Sequence, residues 1–103
     1  MARDPPAGVA TRRRVERATR EPGRRKVLLH NDDYTTQEFV VGILTTVFHR
    51  SPADAVRVML EVHHQGVAVA GVYTAEIAEE KAARVQALAR DQEFPLLATT
   101  EPA

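Results

Sequence analysis

The chain has 103 residues, enough for one small domain, and its 14 basic and 14 acidic side chains leave no formal net charge. It has no cysteine, which excludes disulfides and thiolate zinc sites and fits a reducing compartment, and its apolar runs are far too short to span a bilayer. The charge is uneven: residues 1–26 hold nine basic and three acidic groups and the remainder five and eleven, so a basic tail precedes an acidic domain.

Residues 1–24 are rich in Arg, Pro and Gly and poor in large apolar side chains. They cannot bury enough surface to offset the entropy of ordering, so a flexible basic extension is expected, followed by one domain over 25–103. Thr11 to Arg20 has the composition of a transient basic helix. No aromatic is interleaved with the arginines, which argues against a nucleic-acid arm. The acidic residues and Pro5-Pro6 argue against an organelle transit peptide, and no apolar core of a secretory signal is visible.

The first strand is expected from Arg25 to His30, around the apolar run Val27-Leu28-Leu29. Asn31-Asp32-Asp33 is turn chemistry. Thr35 and Glu38 have capping-box spacing ahead of Phe39 and Val40. A helix is expected from about Thr36 to His49, with Phe39, Val40, Ile43, Leu44, Val47 and Phe48 on one face. Ser51-Pro52-Ala53-Asp54 opens a second helix with a cap, a proline at the first turn and an acid. Val56, Met59, Leu60 and His63 continue that helix, and Gly66 is placed to end it.

Val67 to Tyr73 is a second strand, in which Gly71 suggests close backbone approach. Thr74 caps a third helix with Glu76 in its first turn. Its inner stripe is Ile77, Ala78, Lys81, Ala82, Val85, Leu88 and Ala89, Lys81 being the odd member. Pro95 stops any helix, and Leu96 to Thr100 reads as the last strand. The order β-α-α-β-α-β implies an α+β domain: a small three-stranded antiparallel sheet covered by three helices.

Chemistry concentrates at the first strand-to-helix corner. Two carboxylates and a carboxamide there present acceptors to something that carries donors or positive charge. The alternative is a plain polar turn. There is no Cys nucleophile, no Gly-rich phosphate loop and no His-Glu-x-x-His helix. His63 and His64 are adjacent, so they diverge by about a hundred degrees on a helix and cannot chelate one metal together. His30, Asp32, Asp33 and His63 remain a conceivable metal set, and His63 alone reads equally as a histidine satisfied at a helix end.

Four blocks, Asn31-Asp32-Asp33-Tyr34-Thr35, Val62-His63-x-Gln65-Gly66, Gly71-Val72-Tyr73-Thr74-Ala75-Glu76 and Pro95-Leu96-Leu97, together resemble the ClpS family, adaptors that hand N-degron substrates to the Clp protease. The resemblance runs from about Arg25 to Thr100, with the blocks in the family's order. It implies a non-enzymatic adaptor that works without a cofactor. Its substrates would begin with Leu, Phe, Tyr or Trp. An α-amino group is an ammonium at neutral pH, and Asn31, Asp33 and neutral His63 supply three acceptor types and the compensating charge.

Asp32 and Thr35 are expected at the rim against the substrate backbone. The family's hydrophobic pocket maps onto Gln37, Val40, Met59, Val62 and Leu96, bordered by Thr35. The family usually has Met at the position of Gln37 and Pro at that of Thr36. The polar Gln37 changes the filter on the first residue, whereas Thr is tolerable at a helix start. Glu76 and Lys81 match the acid and lysine that dock the family on the N-terminal domain of a ClpA- or ClpC-like AAA+ unfoldase. Without that match they would be a solvated charge pair.

The N-terminal extension would engage the unfoldase. The implied setting is cytoplasmic, with a monomer as the working unit and no nucleic acid or membrane as partner. Two rivals stand beside this reading. One is a Clp-docking modulator whose N-degron pocket is weakened by Gln37. The other is a small metal hydrolase using Asp32, Asp33 and His63.

Overall fold

β1 (Arg25–His30) is the middle strand of a three-stranded antiparallel sheet with the order β2-β1-β3 in the computed structural model, which describes residues 23–103. The basic extension expected over 1–24 lies, as far as residue 22, outside the described residues. α1 (Gln37–Thr46) and α2 (Pro52–Gln65) separate β1 from β2 (Val67–Tyr73). α3 (Ala75–Asp91) then leads to β3 (Leu97–Pro102). The expected order of elements and the antiparallel sheet are both present.

The sheet alternates as a one-sided sheet should. Val27 and Leu29 are fully buried, while Lys26, Leu28 and His30 are only half-buried. The buried side joins Ala68, Ala70 and Ala98 to Val40, Ile43 and Leu44 of α1, Val58 and Val62 of α2, and Ala78, Ala82 and Val85 of α3. Alanines on the strands let the helices approach closely.

The helix starts are where side-chain oxygens can satisfy unpaired amides. Ser51 accepts from the Asp54 amide at 3.2 Å, and Thr74 accepts from the Ile77 amide at 3.4 Å. Gly66 ends α2 in the left-handed region at φ 88°, a conformation that favours glycine.

Four details differ from expectation. α1 is capped by Thr36, which accepts from the Phe39 amide at 3.1 Å, because the Thr35 hydroxyl is engaged by Asp32. α1 ends at Thr46 rather than His49; the chain turns there with His49 at φ 57° and the Arg50 amide on the Leu44 carbonyl at 3.0 Å. The buried face of α2 is Ala55, Val58, Met59 and Val62, whereas Val56 and Leu60 are 43% and 41% exposed. Ile77 of α3 is exposed as well.

A bulge interrupts the β1–β2 ladder: Val27 pairs with Gly71 and Leu28 with Val69, so Ala70 has no partner. Its carbonyl accepts instead from Nε and Nη2 of Arg50 at 2.9 and 2.7 Å, and Arg50 Nη1 donates to Asp54 at 2.6 Å. The Tyr73 ring lies against Gly71 so closely that any Cβ there would overlap it. Gly71 thus admits a side-chain ring, where a close approach of backbone was expected. Burial raises the Tyr73 phenol above its ordinary value, although the Arg50 charge opposes the rise.

Candidate functional site

The corner after β1 is built by one carboxylate. Asp32 Oδ1 accepts from the backbone amides of Tyr34 and Thr35 at 2.8 and 2.7 Å, and its Oδ2 accepts from the Thr35 hydroxyl at 2.7 Å. Short polar side chains at turns bond in this way to amides two and three residues on. Burial pushes the Asp32 carboxyl up, but the Thr35 amide and hydroxyl and the Tyr34 amide together hold it below the usual aspartate value. Asp32 therefore shapes the corner rather than offering both oxygens to a ligand.

A second bond ties the corner to α2. The Asn31 backbone N–H donates to the Gly66 carbonyl at 2.9 Å, while the Gly66 N–H donates to the Val62 carbonyl at 2.9 Å. The glycine cap thus brings the end of β1 against the last turn of α2, which carries His63. This link explains how Asn31 and His63, distant in sequence, come to one place.

That place is a cavity of about 240 Å³. Val40 of α1 and Met59 and Val62 of α2 form its buried apolar walls. Asn31, Asp32, Asp33 and His63 line it as polar groups, and Thr35 and Gln37 line it at the start of α1. Nine of the ten residues expected to bind substrate line this one cavity. Leu96, the tenth, is 2% exposed within the core and does not line it.

The three expected amine ligands are available for bonding. Within the described residues, the Asn31 amide, the Asp33 carboxylate and the His63 ring make no side-chain hydrogen bond; His63 only meets the edge of His64, with centroids 5.0 Å apart. All three are exposed at the cavity. The last turn of α2 brings the negative end of its helix dipole there, which favours a cation. The start of α1 brings a positive end, which Asp32 and Asp33 offset. An apolar hole bordered by a carboxylate, an amide oxygen and an imidazole suits a group that joins an ammonium to a hydrophobic side chain.

A metal fits less well. No three His, Asp or Glu side chains among the described residues are arranged to hold an ion. Both Asp32 oxygens are already bonded within the corner.

The other two expected contact residues lie on α3. Glu76 is exposed in its first turn. Lys81 is half-buried: its Nζ donates to the Val47 carbonyl at 2.7 Å, 5.2 Å from the Tyr73 ring centroid and 5.9 Å from that of Phe48. It caps the C-terminal end of α1, where a cation is favoured. Its place in the inner stripe is thereby explained, since its stem packs inward while its charge finds a carbonyl and two ring faces.

Sequence reasoning missed the Arg50 bonds to the bulge and the role of Asp32 as an organiser. An Arg four residues before Asp54 and an Asp three before Thr35 were the available signals.

Three comparisons bear on this geometry. The family model described as ATP-dependent Clp protease adaptor protein ClpS matches residues 20–99. The ATP-dependent Clp protease adapter protein ClpS of Nitratidesulfovibrio vulgaris (strain DSM 19637 / Miyazaki F) is 55% identical over 97 residues, covering 94% of this chain and 97% of its own. Its namesake from Desulfatibacillum aliphaticivorans is 57% identical over 84 residues, 82% of this chain and 81% of its own. The structure of Agrobacterium tumefaciens ClpS2 bound to L-phenylalaninamide superposes with a TM-score of 0.77 at 45% identity, over 80% of this chain and 99% of that one.

Proposed function

The chain belongs to the ClpS family of ATP-dependent Clp protease adaptor proteins, and we propose that it captures the free N-terminus of proteins beginning with Leu, Phe, Tyr or Trp and delivers them to a Clp unfoldase. It acts by binding and not by catalysis. The supporting observation is that Asn31, Asp33 and His63, whose side chains make no hydrogen bond among the described residues, line a cavity walled by Val40, Met59 and Val62. L-phenylalaninamide, the ligand of the Agrobacterium structure, joins a free α-amino group to an aromatic side chain, which is the same combination.

In this reading Asp33 supplies the counter-charge, and Asn31 and His63 accept the remaining ammonium protons. The first side chain fills the apolar hole. Burying a Leu- or Phe-sized group contributes roughly 1.5–3 kcal/mol, and each bond to the ammonium roughly 1.5–3 kcal/mol. After the cost of association, affinity near micromolar follows, about −8 kcal/mol.

The adaptor docks as a monomer on the N-terminal domain of a ClpA- or ClpC-like unfoldase in the cytoplasm, through exposed Glu76 and the neighbouring surface of α3. Lys81 serves that surface from its half-buried seat on Val47. A second reading, a docking modulator with a weakened pocket, has one observation in its favour. Gln37 lines the cavity beside Val40, and its side chain makes no hydrogen bond among the described residues, so it brings an unsatisfied amide to the pocket.

Titration of the full chain with a fluorescent Leu-initiated peptide, its Ala-initiated counterpart and their N-acetylated forms separates the readings. Binding that needs both Leu and the free amine supports capture. Indifference to the first residue, with unfoldase binding intact, supports the modulator. Indifference to acetylation refutes the amine site.

A further inference from the structure

α2 presents a second apolar surface. Val56 and Leu60 are 43% and 41% exposed, although neither belongs to the buried face of the helix. Met59 follows Val56 by three residues, Leu60 follows it by four, and His63 follows Leu60 by three. These are the spacings of neighbours on a helix surface. The strip therefore continues directly from His63 and Met59, which line the cavity. The charges of this helix lie elsewhere. Arg57 follows Val56 by one residue and Glu61 follows Leu60 by one, which turns each about 100° away from its apolar neighbour. Arg57 is moreover paired, with Asp54 at 2.6 Å and Glu61 at 3.8 Å.

We propose that Val56 and Leu60 form a shelf for the third residue of the same polypeptide whose first residue fills the cavity, so that the adaptor prefers N-termini with an apolar third side chain. The inference rests on the capture of a free N-terminus proposed above. The spacing carries it. An extended chain sends every second side chain to the same face, about 6.6–6.8 Å apart. Along α2, Leu60 lies about 4.5 Å and Val56 about 10.5 Å from His63. With the first residue held at His63, the third falls between them. The acidic corner supplies the carboxylates of the cavity lining, whereas α2 supplies Met59, Val62 and His63, from which the apolar strip runs on.

The test uses the full chain and decapeptides with free amines and a fixed tail, beginning Leu-Ser-Leu or Leu-Ser-Ser, each also in acetylated form. The Leu-Ser-Leu peptide should bind about five- to tenfold more tightly, as expected for covering a half-exposed apolar pair. In the Val56→Thr/Leu60→Gln double variant the ratio should fall to about one, with the Leu-Ser-Ser affinity unchanged. A ratio near one in the wild type, or one that survives the double substitution, overturns the shelf while leaving the amine site intact. Loss of all amine dependence overturns both. A self-associated wild type that the double variant dissociates, or a double variant impaired only in unfoldase binding, gives the strip another occupant and overturns the proposal. Thermal melts of the double variant and of Leu60→Gln alone identify a folded variant, and the ratio is read in whichever keeps the wild-type fold.

Discussion

Replacing Asp32 tests whether the corner is organised from within. Asp32→Ala removes three hydrogen bonds, two from the amides of Tyr34 and Thr35 and one from the Thr35 hydroxyl. Each contributes about 0.5–1.5 kcal/mol net, and water replaces part of it at a half-exposed site. The expected loss is therefore about 1.5–2.5 kcal/mol, or a melting temperature lower by roughly 10 °C. Asn31 and Asp33 flank Asp32, so a disordered corner also lowers the population competent to bind. If the whole loss appears there, affinity for a Leu-initiated peptide falls by about ten- to seventyfold.

Asp32→Asn makes the comparison decisive. Its Oδ1 can still accept both amides, so it should lose less than half as much in stability and in binding. The assays are thermal melting by circular dichroism and anisotropy titration of a labelled peptide. An Asn variant as impaired in binding as the Ala variant would mean that the charge of Asp32 faces the ligand, refuting the internal role. The pH dependence has a definite sign. The folded carboxyl titrates below its ordinary value of 3.8, so its contribution is complete above that value. It is lost as the pH falls further, and the stability gap between wild type and Asp32→Asn should close below pH 3.8.

Three other substitutions probe the remaining parts. His63→Ala should weaken a Leu-initiated peptide by at least about tenfold in the same titration, because an acceptor for a shielded ammonium is lost; unchanged affinity in a folded variant would remove His63 from the site. Gly71→Ala should cost about 2–3 kcal/mol in chemical denaturation, since the added methyl displaces the Tyr73 ring from its seat beside Phe48 and Lys81. Combining it with Tyr73→Ala should remove most of that penalty. Lys81→Met keeps the stem but loses the bond to Val47, and should cost about 1–2 kcal/mol by melting while also weakening unfoldase docking.

Much of this molecule was legible because its signals are local. Ser51 and Thr74 announce helix starts, Gly66 a left-handed stop, Asn31-Asp32-Asp33 a turn, and Gly71 a close approach. Each depends on one residue's own hydrogen bonds or backbone freedom. Adjacent equivalents were harder to separate. Thr35 and Thr36 both have capping chemistry, and the choice fell to Thr36 because Asp32 engages the Thr35 hydroxyl. Leu96 and Leu97 are alike in hydrophobicity, yet one is buried in the core and the other is 47% exposed on β3.

The chain by itself determined the order of the elements, the polar corner and the residue types an ammonium requires, since these follow from spacing and side-chain chemistry. Tertiary structure decided which apolar residues wall a cavity and which stay outside. α2 carries apolar side chains around more than half its circumference, and only packing against α1 and β2 selected Met59 and Val62 over Val56 and Leu60. It also decided that Asn31 and His63 meet, because one amide-to-carbonyl bond from Asn31 to Gly66 closes a loop no local pattern encodes.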